Sequence, residues 1–491
     1  MMSRLRAAIG KEKITPPVGI PLFSHLSPDR ISEGVHDDLW TRVLVLQQGD
    51  LQIALVSMDL AWPLPENDYL KVREAIQQAT PLQAENIMVS CTHNHQGPAF
   101  DPHRVYNMPI VKQQQIIYPW VQFLIDRIVE AAKKALANLK PARVSFAKTL
   151  ITGLCYNREK QIPDGITPLV NVNSAQGRFY FGDTPDMPDC IRQQYVHWGM
   201  LPEEAYERIP LGLPDGPIDP DLSVVHITDE QDKSIAIIAN YACHPVCCSP
   251  PVPRLISAGF PGVMAELLRE ETGGECIFAF GAGGDIRPYR SSGRGFEEVQ
   301  RVGFVLATGV MEAIRNAKQV ENPALKIASR TIPVPLREYP PREEALKMVE
   351  QKRQAFEQAR SEGRYRDAMK LENEIAMLEY PLKMCGSWVG RKSWMERKGT
   401  VPLEVQVIAI GDIVLLSLPN EVNVSIGLEI KQASWTDKLL LLTLTNGEWM
   451  YLVKKEEFEQ GRYEAIGSML APGAAEKIIE TANQLIQEIK E

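Results

Sequence analysis

Pairs of short apolar segments, joined by brief polar turns, constrain the fold of this chain more than any other feature of its sequence. The pairs are 42–46 with 51–57, 222–228 with 235–239, and 404–410 with 413–417. Short segments rich in Val, Ile and Leu are typical of buried strands, and a Gly- or Asp-containing turn between two of them predicts a β-hairpin. We therefore predict three β-hairpins.

Longer amphipathic segments alternate with these strands, which predicts an α/β fold. Helices are predicted over 66–78, 121–139, 296–316 and 475–490. In the first of them Tyr69, Val72 and Ile76 fall on one face. Residues 342–378 are rich in charge and broken near 361–363. This pattern predicts a helical hairpin with a solvated face, inserted within the domain.

Composition excludes several classes of protein. With 491 residues, of which 44% are hydrophobic, the chain is long enough for a large core, and disorder is not its main state. A net charge of −9 argues against a nucleic-acid binder. No apolar segment is long enough for a transmembrane helix, and no secretory signal follows Met1. We expect a cytoplasmic protein; its oligomeric state is left open, and a homo-oligomer is compatible with the sequence.

Histidines follow two of the predicted strands. His93 and His95 come after the buried segment 87–90, and His244 comes after 235–239. Residues two apart in an extended strand face the same side, so His93 and His95 share a pocket if the extended path continues. They then suit two metal ligands, or one ligand with an acid–base neighbour. The alternative is a polar strand end with solvent-facing histidines, and for His244 a capped core histidine before Pro245.

Other candidates have an ordinary structural interpretation as well. An acid in the first turn of a helix, as predicted for Glu421, stabilises the helix dipole. Tyr451 alone is a partly buried aromatic residue, and Gly281–Asp285 predicts a backbone bend that lets a ligand come close. Thiolates suit zinc, but we interpret the cysteines near His244 as small buried apolar residues. These cysteines are Cys243, Cys247 and Cys248.

Taken together, these segments resemble those of the neutral (non-lysosomal) ceramidases. The resemblance runs from about residue 9 to about 472. The matching segments are Cys91-Thr-His-Asn-His-Gln-Gly-Pro98, Asn157-Arg158, Tyr241-Ala-Cys-His-Pro245, Ser257-Ala-Gly-Phe-Pro-Gly262, Gly283-Gly-Asp285, Leu418-Pro-Asn-Glu421, and Tyr451-Leu-Val453 with Gly461-Arg-Tyr-Glu464. Each segment is weak evidence alone, but their common order makes the set specific.

The resemblance implies a single zinc-dependent hydrolase domain over residues 1–491, of the α/β class with a mixed sheet. Its metal ligands carry over onto His93, His244, Glu421 and Tyr451. The acid–base histidine carries over onto His95, the arginine that stabilises the oxyanion onto Arg158, and a further site tyrosine onto Tyr463. The implied reaction is attack on an amide carbonyl by zinc-activated water.

Three departures from the family pattern affect this expectation. Arg287 stands where the family has a site serine, and Asn420 stands where glycine is usual. The chain also stops where ceramidases continue into an immunoglobulin-like domain. We predict that Arg287 and Asp285 contact the substrate, with Arg287 suited to an anionic group.

Three functions follow as hypotheses. The first is a zinc hydrolase that cleaves a linear amide, ceramidase-like, in a lipid or a smaller N-acyl compound. The second keeps the metal but acts on a polar ester, a lactone or a sugar-derived amide, as Arg287 and the polar segment 151–222 suggest. The third is a non-catalytic, zinc-stabilised binding protein, which the missing serine favours.

Overall fold

The structure is a computed structural model. It describes residues 3–23, 31–62, 64, 68–99, 110–158, 216–247, 253–288, 295–383, 397–459 and 462–490. Most of the irregular segment 151–222 lies outside the described residues, as do His25, His103, His197 and Cys248.

The strands are numbered in chain order. They are β1 Arg6–Lys13, β2 Gly34–Val35, β3 Trp40–Gln48, β4 Leu51–Met58, β5 Ile87–Cys91, β6 Lys140–Leu150, β7 Cys155–Asn157, β8 Asp221–Asp229, β9 Ser234–Tyr241, β10 Leu255–Ile256, β11 Glu275–Phe280, β12 Ile286–Pro288, β13 Lys318–Gln319, β14 Leu325–Pro335, β15 Thr400–Ile410, β16 Ile413–Ser417, β17 Glu421–Val422, β18 Leu439–Leu442 and β19 Tyr451–Leu452.

The helices are numbered in the same way. They are α1 Tyr69–Ala79, α2 Ile110–Ala137, α3 Gly259–Thr272, α4 Phe296–Arg315, α5 Arg342–Ser361, α6 Tyr365–Lys383, α7 Val424–Ala433, α8 Lys455–Glu459, α9 Tyr463–Ile466 and α10 Ala474–Lys490, with a 3₁₀ turn at Ala84–Asn86. No helix among the described residues is long and apolar enough to cross a membrane.

Two mixed sheets make up most of the described strand structure. The larger has nine strands in the order β11-β9-β8-β6-β1-β3-β4-β5, with β13 paired to β6; the smaller has the order β14-β15-β16-β18. All three predicted hairpins are present as antiparallel pairs: β3 with β4, β8 with β9, and β15 with β16. The predicted α/β class with mixed sheets is therefore confirmed.

The helices cover the sheets with their apolar stripes. In α1 the buried residues include Tyr69, Val72 and Ile76, the face that the sequence predicts. Helix α10 likewise buries the stripe that includes Ile478 and Leu485. Burying such stripes removes apolar surface from water, which stabilises the fold by roughly 25 cal/mol of free energy per Å². Two helices, α5 and α6, span the segment predicted as a hairpin, and they meet near Gly363.

Some elements differ from the prediction. Helix α2 begins at Ile110 rather than near 121 and contains Pro119, although a proline ordinarily marks a helix boundary. The structure also contains the strands β1, β6 and β14, which the sequence pattern does not predict and whose outer faces carry polar residues. β1 and β6 pair with strands on both sides, and β14 pairs along its whole length with β15, so long-range pairing fixes these strands where local sequence does not.

Three pairs of parallel strands bring their carboxyl ends together. β5 lies beside β4, β11 beside β9, and β18 beside β16, each pair parallel. The segments that leave β5, β9 and β16 carry the histidines and Glu421. Because ligands in α/β folds bind outside the carboxyl ends of strands, this arrangement sets the position of the candidate site.

Candidate active site

His93 reaches the site through a turn. Strand β5 ends at Cys91, and His93 has φ of 59°, in the left-handed region. The extended path therefore does not continue, so strand alternation is not what brings the two residues together, although His93 and His95 do share one pocket, with their Nε2 atoms 3.3 Å apart. The turn orients His93 instead, and its Nδ1 lies 2.9 Å from the backbone oxygen of Ala61. Since a carbonyl only accepts, Nδ1 carries the proton and Nε2 presents its lone pair.

His244 is held in the same manner after β9. Its backbone N–H donates to the oxygen of Ile286 at 3.1 Å, and its Nδ1 lies 3.1 Å from the oxygen of Gly283. Burial lowers the pKa of His244 well below its usual range, and the neighbouring His93 adds to this effect. The imidazole is therefore neutral near pH 7, with Nε2 available as a ligand atom.

The Nε2 atoms of three histidines and one carboxylate oxygen converge on one point. Nε2 of His93 lies 2.8 Å from Nε2 of His244 and 3.3 Å from Nε2 of His95. Oε2 of Glu421 lies 3.4 Å from Nε2 of His93 and 3.7 Å from Nε2 of His244. His93 and His244 are buried, whereas His95 is half-buried. Residues far apart in the chain thus form a single centre.

The donor set fits a divalent cation. Ligand atoms about 2.0–2.1 Å from a tetrahedral zinc ion lie roughly 3.3 Å from one another. Three of the four separations are close to that value, and the pair His93–His244 is shorter by about half an ångström. Nitrogen ligands whose other ring nitrogen donates to a carbonyl are typical of metal sites. The ligand atoms of His93, His95 and His244 lie within 4.8 Å of one another.

Glu421 and Tyr451 are adjacent because their strands pair. β17 runs parallel to β19, with Glu421 in register with Tyr451. Helix α7 begins only at Val424, so the interpretation of Glu421 as an acid in the first helical turn is wrong. Burial and the Glu421 carboxylate raise the pKa of Tyr451 well above its usual range. The structure thus brings together His93, His95, His244 and Glu421, with Tyr451 on the neighbouring strand.

Arg158 links the centre to the end of the chain. Its Nε donates to Oε1 of Glu464 at 2.6 Å, and its Nη2 donates to the Tyr451 hydroxyl at 3.1 Å. Its guanidinium also lies over the Tyr463 ring, 4.9 Å from the centroid. Glu464 is fully buried and was not singled out from the sequence, although it stands in the quoted segment Gly461–Glu464. The resemblance of this segment to the family pattern identifies the position of Glu464, but it does not indicate that Arg158 is its partner.

Asp285 joins two segments of the site. Its Oδ1 accepts from the backbone N–H of Val424 at 2.8 Å, and its Oδ2 accepts from Nδ2 of Asn157 at 2.9 Å. Burial, reinforced by the Glu464 carboxylate, raises the pKa of Asp285 to about 7. Both oxygens are engaged within the protein, which gives Asp285 a positioning role here. Its contact with substrate stays a prediction.

Arg287, Cys243 and Cys247 are buried side chains. Arg287 is buried in β12, in register with Tyr156 of β7. Cys243 is fully buried, and burial raises the pKa of its thiol well above the usual range. A neutral buried thiol agrees with the interpretation of Cys243 as a small apolar residue. The substrate contact predicted for Arg287 stays a prediction.

Comparison with known proteins identifies related sequences over about a third of the chain. The family model for "Neutral/alkaline non-lysosomal ceramidase, N-terminal" matches residues 6–162. Neutral ceramidase of Pseudomonas aeruginosa is 24% identical over 159 residues, and that of Drosophila melanogaster is 25% identical over 164 residues. These alignments cover 31% of this chain in each case, but only 23% and 22% of the two relatives.

The structural comparison extends over nearly the whole chain. The crystal structure of neutral ceramidase from Pseudomonas aeruginosa matches with a TM-score of 0.67, covering 99% of this chain and 75% of that chain. The identity in this match is 17%, so it shows the shared fold alone. Together the two findings confirm the resemblance: residues 6–162 match the neutral/alkaline non-lysosomal ceramidase family, and the chain as a whole shares the fold of a neutral ceramidase.

Proposed function

We propose that this protein is a zinc-dependent hydrolase that cleaves a linear amide bond, as the name of its relatives suggests for an N-acyl lipid. The observation that carries the proposal is the convergence of Nε2 of His93, His95 and His244 with Oε2 of Glu421. When bound there, zinc would supply a Lewis acid that polarises a carbonyl and lowers the pKa of water to roughly 7. The protein would act in the cytoplasm.

Within this proposal His95 transfers protons. It is the half-buried member of the three histidines, so its ring exchanges protons with solvent and substrate more easily than the buried pair. Its Nε2 lies 3.3 Å from Nε2 of His93, which places it at the centre. A general acid at this position protonates the amine that leaves, and such proton transfer contributes typically 10²–10⁴-fold to the rate.

Arg158 is the group that would stabilise the oxyanion. A guanidinium stays charged at every accessible pH, and Glu464 and Tyr451 fix its orientation through hydrogen bonds. The stacked ring of Tyr463 restrains it from the side. A cation held in place beforehand stabilises developing negative charge without reorganising during the reaction. Tyr463 acts in this proposal through Arg158.

Metal analysis and turnover test the proposal together. We would purify the full chain, measure bound metals by plasma mass spectrometry, and assay ceramide and shorter N-acyl amides before chelation, after it, and after zinc is restored. We expect stoichiometric zinc and hydrolysis that follows its removal and return. Full activity in metal-free protein would contradict the proposal.

Two variants separate the alternative ligand sets. One set is His93, His244, Glu421 and Tyr451; the other replaces Tyr451 with His95. His93 belongs to both sets, whereas His95 is a ligand only in the second. We expect His93→Ala to lose zinc, and His95→Ala to retain zinc while losing hydrolysis. Zinc lost from both variants would make His95 a ligand and leave the acid–base role vacant. Retained zinc with no turnover of any amide or ester would favour the non-catalytic binding protein.

A second candidate keeps the centre and changes the substrate to a polar ester, a lactone or a sugar-derived amide. Arg287 favours it, because a buried guanidinium in β12 lies on the strand that pairs with β7, directly before Arg158. Arg287→Ser tests this candidate: we expect it to weaken turnover of an anionic ester and to spare a long-chain amide. Equal effects on both substrates would remove Arg287 from substrate selection.

A further inference from the structure

Two buried carboxamides beside the centre have no hydrogen-bond partner in the part of the chain that the structure describes. Gln96 follows His95 and is 2% exposed, and Asn420 precedes Glu421 and is 0% exposed. Neither the nitrogen nor the oxygen of either side chain forms a hydrogen bond. Within the described ranges, no other buried Asn or Gln leaves both atoms without a partner.

Other buried carboxamides nearby are used fully. Nδ2 of Asn240 donates to the backbone oxygens of Ala279 and Leu441, at 2.8 and 2.7 Å. Leaving a buried polar group unsatisfied is unfavourable, whereas satisfying it is the rule in native proteins. Two exceptions, one next to each of two residues that meet at the centre, therefore indicate a place where something polar binds.

We propose that Gln96 and Asn420 bind a neutral, hydroxyl-bearing part of the substrate beside the scissile bond, and so determine which amides the site accepts. The inference rests on the proposed hydrolase function for the nature of that bond. Its geometric basis is the meeting of the two chain segments, because Nε2 of His93 lies 3.4 Å from Oε2 of Glu421.

The chemistry of the two side chains identifies the group that they bind. Each carboxamide offers an amino group that only donates and a carbonyl oxygen that only accepts. A carboxylate or phosphate would satisfy the amino groups and leave both oxygens without a donor. An ammonium group would do the reverse. Hydroxyl groups donate and accept, so a substituent with several hydroxyls, as in an amino sugar or a polyol amine, satisfies both residues.

A pair of amides that differ in their hydroxyls tests this inference. N-octanoylglucosamine and N-cyclohexyloctanamide both carry a six-membered ring and the same acyl chain, but only the first has hydroxyls. Binding is measured by calorimetry with the full chain in the His95→Ala background, so that turnover does not disturb the heats. We expect the hydroxylated amide to bind about 100-fold more tightly, from roughly tenfold per carboxamide.

The variants are chosen to keep the backbone and the packing. Asn420 has φ of 78°, which glycine adopts freely, so Asn420→Gly removes only the carboxamide. Gln96→Leu keeps the side-chain volume. We expect each variant to weaken binding of N-octanoylglucosamine about tenfold, to leave binding of N-cyclohexyloctanamide unchanged, and to retain the thermal midpoint. Asn240→Leu is the control, and it should lower the midpoint without changing the preference.

The results separate this inference from the proposed function. Equal affinity for the two amides, or a preference that both variants leave intact, would overturn the inference, as expected if the carboxamides bind water alone. Hydrolysis of amides would survive that result. Conversely, a preference that depends on both residues supports the inference even if no amide is hydrolysed, because the calorimetry measures binding only.

Discussion

Glu464→Gln tests whether a buried ion pair positions Arg158. The side chains of Arg158 and Glu464 are 8% and 0% exposed, and Nε and Oε1 lie 2.6 Å apart. Glutamine keeps the shape and one acceptor but removes the charge. Breaking a buried ion pair by removing one partner costs about 3–5 kcal/mol. Because the amide oxygen still accepts from Nε, we expect a loss of roughly 2–3 kcal/mol in the free energy of unfolding.

The same substitution should slow hydrolysis. Without its counter-charge the guanidinium is free to move from the Tyr451 hydroxyl, and about 1.4 kcal/mol of lost transition-state stabilisation corresponds to a tenfold lower rate. We expect kcat to fall at least about tenfold with little change in KM, because the arginine acts on charge that develops in the transition state. Urea unfolding gives the stability, and steady-state kinetics on a soluble N-acyl amide give kcat.

Glu404→Gln is the matched control. Glu404 of β15 forms an equally buried ion pair with Arg73 of α1; the two side chains are 8% and 5% exposed, and their closest approach is 2.7 Å. We expect a similar loss of stability and no change in kcat. If Glu464→Gln lowers stability as Glu404→Gln does but leaves kcat intact, the ion pair is structural and Arg158 needs no such support.

Three further changes test local features of the fold. Asp285→Asn should alter the pH dependence of stability. Burial raises the pKa of Asp285 to about 7, above about 3.9 in the unfolded chain. As the pH rises between these two values, the free energy of unfolding of the wild type falls by up to about 4 kcal/mol, and the variant lacks this loss. The difference in urea midpoint between the two proteins, measured from pH 5 to 8, checks this. Asn420→Ala should be about 1 kcal/mol less stable than Asn420→Gly by the same assay, because alanine resists φ of 78°. Gly10→Ala should prevent accumulation of folded protein, since a Cβ there would lie 1.9 Å from the backbone oxygen of Ala131; a normal circular dichroism melt would contradict it.

The sequence predicts the parts of the fold that depend on local pattern. Apolar segments with short turns give the three hairpins, because alternation and turn chemistry are local properties. Positions such as His93 and His244 could be singled out because polar residues follow buried strands directly. Strands with polar outer faces, such as β1 and β14, were missed because their pairing depends on residues far along the chain.

The sequence does not predict the contacts that orient the site. The oxygens of Ala61 and Gly283 fix the two ring tautomers, and any residue could supply a backbone oxygen. Arg158 and Glu464 are 306 residues apart, so their ion pair leaves no local pattern. The left-handed φ of His93 is also hidden, since only a few per cent of residues other than glycine adopt positive φ.

Left-handed residues recur where the strands give way to the centre, and this recurrence indicates how the site is built. His93 has φ of 59°, Asn420 of 78° and Met450 of 66°, and the last two directly precede Glu421 and Tyr451. Each such residue costs of order 1–3 kcal/mol and persists only where the surroundings impose the conformation. The surrounding strands and helices impose it here, because buried apolar residues surround all three turns. The left-handed turns change the direction of the chain at His93 and directly before Glu421 and Tyr451, so these three segments can approach the centre.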